Sequence, residues 1–257
     1  MSLGSESFPA TDPSGFALNV LSVLMMYGPA YLANTGAMLC GYWLPKKFGI
    51  SNHKIDGGKV HSDGNRLLGD GKSWEGLFGG AIFAGLLTLR VHILWQGRAA
   101  PADRPFIDPV SWADAGDWFW IGGESGAAFL IGASLGFACM LGDSFGSYIK
   151  RRRGLKREGE TSSRAPLLDT IPFALAIFIA AFLLFPDQII THSDLRPAIL
   201  GILILTPLIH RAFNILGHRL GLPWLRHRPL RSPARAPFPP RSVSRIARGP
   251  PPPTPPP

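Results

Sequence analysis

Residues 16–44 contain no charged side chain, and this uncharged run limits what the chain can fold into more than any other feature of its sequence. The run is 29 residues long, and a helix of roughly 17–25 apolar residues is enough to cross a bilayer. It is long for a cleaved leader and has no basic segment before it. We therefore predict a membrane helix that the mature protein retains.

Four further apolar stretches follow, at residues 77–95, 119–141, 171–190 and 197–216. Charged residues make up only 17% of the chain, against about a quarter in soluble domains. Buried helices of a soluble protein would need amphipathic helices to cover them, and the sequence supplies almost none. The pattern predicts an all-α integral membrane protein with five transmembrane helices.

Lysine and arginine are concentrated in three of the segments between and after the spans. Segments 45–72, 142–170 and 217–257 carry six, seven and eight of them, whereas segments 96–118 and 187–196 carry two and one. Because basic loops favour the cytoplasmic side, this alternation predicts the N-terminus outside, with the two basic loops and the C-terminus in the cytoplasm. The net charge of +9 then comes from these loops and the tail, which would lie next to membrane lipids. We expect no nucleic acid partner.

These boundaries divide the chain into three parts. Residues 1–15 form the expected extracytoplasmic N-terminus, residues 16–216 the five-span membrane domain, and residues 217–257 a basic cytoplasmic tail. From residue 226 the tail is rich in Arg, Pro and Ser, a composition that cannot bury a core and predicts disorder. The tail is either an electrostatic tether to anionic headgroups or a dispensable extension.

The first basic loop ends in a glycine-rich, polar motif, GDGKSWEG, at residues 69–76. Its GKS resembles the end of a phosphate-binding P-loop, but Arg66 stands where the earlier glycine is required and no strand precedes it. Glycines still let backbone N–H groups approach an anion, and a helix N-terminus favours phosphate. The alternative is a turn with a helix cap at Ser73.

The second basic loop begins with GDSFGSYIKRR at residues 142–152 and ends with PLLD at residues 166–169. If the third helix continues through it, Asp143, Ser147 and Lys150 share one face. Asp143 lies at the membrane boundary, where a carboxylate needs a partner or a metal, and Asp169 occupies the matching place before span four. Two carboxylates separated by a basic stretch suit a Mg²⁺–polyphosphate site; the alternative is a loop of solvated charges.

Taken together, the two motifs resemble those of the archaeal CDP-archaeol synthases, and they occur in the same order. GDGKSWEG is similar to the family's GDGKTWRG-type motif, and Asn34 is similar to an early Asn. The resemblance covers about residues 16–216, and loop 96–118 is longer than expected for the family. The CDP-diacylglycerol synthases are more distant, because their His-Gly-Gly segment is absent here.

The resemblance implies a cytidylyltransferase that makes CDP-archaeol and pyrophosphate from CTP and an isoprenoid ether glycerol phosphate. It implies Mg²⁺ held by Asp143 and Asp169. Lys150 and Arg151 would neutralise phosphates, and Lys72 would help to hold the nucleotide. Further nucleotide contacts are expected from Asn34, Asp70, Gly71, Ser73, Ser144 and Ser147.

Three other functions are weighed against this one. A CDP-diacylglycerol-type synthase would use an ester lipid in the same reaction. A transporter or scaffold would place ionisable groups near the membrane midplane, which spans three and four lack. A phosphatidyltransferase would carry an Asp-rich helix motif that the sequence does not contain.

Overall fold

The structure, a computed structural model, describes residues 7–9, 12–62, 64, 66–69, 71–155 and 166–219, with side chains through residue 208 except that of Pro166. Within these residues the regular structure is helical, apart from two isolated antiparallel bridges that pair residue 54 with 73 and residue 60 with 66. The predicted all-α class is confirmed for this part of the chain. Nearly all of the predicted tail lies outside the described residues.

The helices follow one another in a simple order. They are α1 (Pro13–Tyr31), α2 (Ala33–Met38), α3 (Leu44–Phe48), α4 (Trp74–Trp95), α5 (Gly123–Arg152), α6 (Ile171–Leu184) and α7 (Arg196–Arg219). A π-helical turn, Leu39–Trp43, joins α2 to α3. Short 3₁₀ turns lie at Pro101–Asp103, Pro166–Asp169, Ile189–Thr191 and Ser193–Leu195.

Local capping explains where the first two membrane helices begin. The Asp12 side chain accepts a hydrogen bond from the Gly15 N–H at 3.2 Å, and Pro13 occupies the first helical position. Ser73 does the same for α4, because its Oγ accepts from the Gly76 N–H at 3.1 Å. These caps satisfy N–H groups that have no partner inside the helix.

Three helical segments are long and apolar enough to cross a membrane: Pro13–Phe48, Trp74–Trp95 and Gly123–Arg152. They correspond to the first three predicted spans, and exposed apolar side chains such as Phe78, Ile82 and Leu86 face outward from α4, as expected next to lipid. α7 has 24 residues. The fifth-span prediction agrees with its length, but five complete crossings stay a prediction.

α6 is shorter than the predicted fourth span. It has 14 residues, so its axis is about 21 Å long against about 30 Å of hydrocarbon core. The helix ends at Phe185 because Pro186 follows, and Asp187 has a φ of 60°. The Trp118 indole N–H donates to the Leu184 carbonyl at 2.8 Å, and its ring stacks on Phe185 with centroids 5.6 Å apart.

α5 packs closely against the helices on either side of it through glycines. A Cβ atom on Gly142 would lie 2.5 Å from the Pro172 carbonyl oxygen of α6, and one on Gly132 would lie 2.1 Å from Thr88 Oγ1 of α4. Missing side chains at these positions let the helix backbones approach each other. α4 and α6 therefore both lie against α5, which places their ends next to its ends.

The bundle has two different ends. The basic end carries residues 49–73, the last turns of α5 and the Pro166–Asp169 turn; the opposite end carries residues 96–122 and 185–195. At the opposite end His92 and Asp108 are both buried, with His92 Nδ1 3.0 Å from Asp108 Oδ1. The two predicted catalytic loops thus lie at one end, while their assignment to the cytoplasmic side stays a prediction.

We expect Gly142→Ala to destabilise the fold by about 1–3 kcal/mol, because the added methyl group would meet the backbone of Pro172 and Phe173 and push α6 away from α5. Thermal unfolding in detergent measures this. Gly28→Ala is the matched control, since a Cβ on this helical glycine meets nothing within 4 Å. Equal melting temperatures for the two variants would contradict close α5–α6 packing.

Candidate active site

An ion pair between Lys72 and Asp143 joins the first basic loop to α5. Lys72 immediately precedes the cap of α4, and its Nζ contacts Oδ2 of Asp143 although the two residues are 71 positions apart. Their side chains are 20% and 23% exposed. Because both charges are largely withdrawn from water, each needs the other, and the contact fixes the loop against the helix.

A second ion pair joins the end of α5 to the turn before α6. Lys150 Nζ contacts Oδ1 of Asp169, and the lysine side chain is only 7% exposed. α5 continues to Arg152, so the prediction that Asp143, Ser147 and Lys150 lie on one helix is confirmed. The spacing of seven residues places the Cα atoms of Asp143 and Lys150 about 10 Å apart along the helix axis.

Arg151 lies beside these pairs and is buried, with 9% of its surface exposed. Its guanidinium packs against Gly69, where an added Cβ would lie 2.5 Å from Nη2. Gly69 also has a φ of +94°, a backbone conformation that L side chains rarely adopt. Only glycine meets both requirements, so the GDG segment is shaped to receive this arginine.

Asp56 organises the rest of the first loop. Its carboxylate accepts hydrogen bonds from Arg66 Nη2 at 2.7 Å and from the N–H groups of Gly58, Leu68 and Gly69 at 3.0–3.3 Å. Burial alone would raise the pKa of Asp56, but Arg66 and these N–H groups outweigh it and lower the pKa to about 2. The carboxylate is therefore ionised at all physiological pH values.

The sequence interpretation gave Asp56 no role. The only local signal is an Asp two residues before a glycine, which favours an Asx-turn, and Oδ1 does accept from the Gly58 N–H. Its bonds to Leu68 and Gly69 span 12 and 13 residues. No periodic pattern connects residues at that spacing in a loop.

The other residues predicted to contact the nucleotide lie in different elements and differ in their burial and hydrogen bonds. Ser73 is buried and acts as the cap of α4, which agrees with the alternative of a capped helix start. The Ser144 hydroxyl donates to the Met140 carbonyl at 2.8 Å, and Ser147 is half-buried one turn further along α5. Asn34 is half-buried on α2, Gly71 lies in the turn before Lys72, and Asp70 lies outside the described residues.

Among the described residues, no group of three or more His, Cys, Asp or Glu side chains converges on one point where a metal could bind. Asp143 on α5 and Asp169 in the turn before α6 each face a lysine. Mg²⁺ in nucleotide enzymes is commonly held by one or two carboxylates together with substrate phosphates and water. The donor set therefore fits Mg²⁺ that arrives with a polyphosphate.

Comparison with known families matches both the motifs and the helices around them. The CarS-like family model, described as CDP-archaeol synthase, matches residues 16–110 and 121–225. A cytidylyltransferase family model matches residues 70–171, which include both ion pairs. The chain belongs to the CDP-archaeol synthase family. The resemblance inferred from the two motifs is confirmed.

Relatives within the CDP-archaeol synthase family cover most of the chain. Those of Methanosarcina barkeri and Methanococcoides burtonii are 32% and 35% identical, each over 76% of this chain and 99% of their own length. That of Picrophilus torridus is 32% identical over 80% of this chain and 97% of its own.

A solved structure, described as an intramembrane enzyme for archaeal membrane lipids biosynthesis, has the same fold. Its TM-score is 0.50 at 23% identity, over 76% of this chain and 94% of that one. The CDP-archaeol synthase family model leaves residues 111–120 unmatched. These residues lie at the opposite end of the bundle and contain Trp118, which contacts the end of α6.

We expect Gly69→Ala to lower the melting temperature more than Gly49→Ala. Both glycines have positive φ values, 94° and 65°, so both variants carry a strain of about 1–2 kcal/mol. Only at Gly69 does the new methyl group also displace the buried Arg151 guanidinium, whereas a Cβ on Gly49 meets nothing within 4 Å. Thermal unfolding of both variants checks this, and equal losses would show that Arg151 does not depend on Gly69.

The pKa of Asp56 predicts a pH dependence of stability. The carboxylate has a pKa of about 2 in the folded protein, against about 3.9 in an unfolded chain. Its ionisation therefore contributes stability above about pH 4, and that contribution is lost as the pH falls from about 4 to 2. The melting-temperature gap between wild type and Asp56→Asn should be largest near neutral pH and should narrow across that window. A gap independent of pH would contradict the assignment.

Proposed function

We propose that this chain is a membrane cytidylyltransferase that makes CDP-archaeol and pyrophosphate from CTP and an isoprenoid ether glycerol phosphate. The observation that carries the proposal is the arrangement at the basic end: two Lys–Asp pairs join α5 to the loop before α4 and to the turn before α6, with a buried arginine on α5, in a chain of the CDP-archaeol synthase family. The cytidylyltransferase family match covers the same residues.

The reaction is a phosphoryl substitution between two anions. An oxygen of the lipid phosphate forms a bond to the α-phosphorus of CTP, and the bond from that phosphorus to the oxygen bridging to the β-phosphate breaks. Pyrophosphate leaves with the electron pair. A phosphate monoester is mostly dianionic at pH 7, since its second pKa is about 6. The nucleophile therefore needs no general base, and no Ser, Cys or His has to act as nucleophile.

Catalysis must come from positioning and charge, because the reacting groups repel each other. Lys72 and Lys150, which neutralise carboxylates at the basic end, supply positive charge for the triphosphate. Arg151 adds a planar donor that suits phosphate oxygens. Ser144 and Ser147 follow Asp143 on α5 and are candidate hydrogen-bond donors to the same nucleotide.

Asp143 and Asp169 are the residues that would hold Mg²⁺. The bound ion supplies charge neutralisation at the phosphate oxygens. Hard carboxylate ligands favour Mg²⁺ over softer metals. The two acidic groups belong to different elements, α5 and the turn before α6, and close α5–α6 packing through Gly142 keeps those elements together.

The lipid substrate is the part of the proposal that rests on relatives. Those that match across nearly their whole length are named CDP-archaeol synthases. The position of the site supports a lipid phosphate, because Asp143 lies on a helix that is apolar enough to cross a membrane. A phosphate headgroup at the membrane surface would reach the basic end without its lipid leaving the bilayer. We place this end on the cytoplasmic side, where the positive-inside rule puts its basic loops.

Purified wild-type protein with CTP labelled in the α-phosphate tests the function. Incubation with Mg²⁺ and an isoprenoid ether glycerol phosphate should move the label into lipid, whereas label in the γ-phosphate should leave in pyrophosphate. A parallel reaction with diacylglycerol phosphate tests the ester-lipid alternative. Product from the ester lipid alone would favour a CDP-diacylglycerol-type synthase, and no product from either would favour a transporter or scaffold.

We expect Asp143→Asn and Asp169→Asn each to lower turnover at least about a hundredfold, roughly 3 kcal/mol of transition-state stabilisation. Each change keeps the shape of the side chain and removes its charge. Glu124→Gln is the control, because this half-exposed carboxylate lies at the opposite end, where it accepts from Gln96. Turnover and melting temperature are measured on the same samples. An Asp143→Asn protein with a lower melting temperature but normal turnover would show that Asp143 serves only as an ion-pair partner and not as a metal ligand.

A further inference from the structure

Asp56 is the most thoroughly hydrogen-bonded carboxylate among the described residues, and the chemistry proposed above does not use it. Its side chain is 1% exposed, and five N–H groups donate to it: two from the Arg66 guanidinium and three from the backbone. Burying a carboxylate is costly unless such donors compensate it. A loop at the membrane surface could be built without this cost, so the carboxylate must fix something specific.

The donors show what is fixed. Two of them, the N–H groups of Leu68 and Gly69, belong to the backbone that leads into GDGKSWEG. Arg66 is held through its side chain, and its carbonyl accepts from Arg152 Nη2 at 3.1 Å. Asp56 therefore holds residues 66–69 in the conformation in which the Arg66 carbonyl meets the last turn of α5.

The same backbone places two of the proposed substrate-binding cations. Gly69 provides the surface against which the Arg151 guanidinium lies. The Gly69 carbonyl accepts from the Lys72 N–H at 3.3 Å, and the Ile55 N–H donates to the Lys72 carbonyl at 3.0 Å. Asp56 thus follows Ile55, the residue whose N–H binds the Lys72 carbonyl. It also accepts a hydrogen bond directly from Gly69, the glycine against which Arg151 packs.

We propose that Asp56, together with Arg66, is a positioning residue for the nucleotide subsite, holding residues 66–72 so that Lys72 and Arg151 present their charges to the triphosphate of CTP. This inference rests on the proposed function and adds to it a residue that positions the substrate-binding cations. Asp56 does not touch substrate; it acts through Gly69 and Lys72. Its loss should therefore weaken nucleotide binding and leave lipid binding unaffected.

The test compares Asp56→Asn with Asp108→Asn, a matched carboxylate at the opposite end. Asp108 is also buried, and it accepts from His92 Nδ1 and from the N–H groups of Gly97 and Val110. Both variants should lose thermal stability. Only Asp56→Asn should raise KM for CTP, by about tenfold or more, with KM for the lipid phosphate unchanged and kcat within a few-fold of wild type.

The KM for CTP of Asp56→Asn distinguishes a positioning role from a purely structural one. If Asp56→Asn lowers the melting temperature as Asp108→Asn does and leaves KM for CTP unchanged, Asp56 is a structural residue only and the inference is wrong. A wild-type protein that makes no CDP-lipid would instead overturn the proposed function, so the two failures are distinguishable. Direct CTP binding measured by calorimetry gives a second readout that does not depend on turnover.

Arg66 variants keep the test decisive if Asp56→Asn does not fold. Arg66→Gln removes the guanidinium but leaves the three backbone N–H donors on Asp56, so it should fold and raise KM for CTP to a smaller extent. Arg66→Lys restores a positive charge and should recover part of the affinity. An Arg66→Gln protein that binds CTP as tightly as wild type would contradict the proposal.

Discussion

Lys72 and Asp143 meet where an apolar helix bundle gives way to a polar loop, and the arrangement of the whole basic end depends on that contact. A carboxylate on a membrane helix and an ammonium group in a loop are each costly in a poorly hydrated position, but together they compensate each other. The pair fixes residue 72 of the loop against α5. Lys150 and Asp169 repeat the solution two turns further along the same helix. Because both pairs include a residue of α5, this one helix fixes the positions of the loop before α4 and of the turn before α6.

Sequence reasoning predicted the helices where burial in lipid is the dominant constraint. The absence of charge over 16–44 and the low charge of the next two stretches are enough to predict membrane helices, since the sequence supplies almost no amphipathic helices that could cover such runs in a soluble protein. Helical periodicity also placed Asp143 and Lys150 on one face, which the continuation of α5 to Arg152 confirms. The end of α6 was predicted wrongly: the predicted span continued to residue 190, but Pro186 and the 3₁₀ turn that follows end the helix.

The candidate site was predictable only in part, because its residues come together through long-range contacts. The motifs indicated which side chains carry charge, but not that Lys72 would pair with Asp143 or Lys150 with Asp169. Asp56 was missed for a related reason, since its value lies in donors 10 to 13 residues away in a loop. Glycine-rich loops carry little information on register, because glycine permits many backbone conformations. The family comparison confirms the identity of the motifs without supplying these pairings.

The early end of α6 has a consequence for the bilayer itself. As a membrane crossing, a helix about 9 Å shorter than the hydrocarbon core would leave a hydrophobic mismatch on one side of the protein. Lipids respond to such a mismatch by local thinning, at a cost of fractions of a kcal/mol per Å. The Trp118 indole, half-exposed and donating to the Leu184 carbonyl, marks the level at which the headgroups would descend to meet the helix end. Trp118 lies in residues 111–120, which the family model leaves unmatched. The fourth predicted span would then fit a thinner bilayer better than a thicker one.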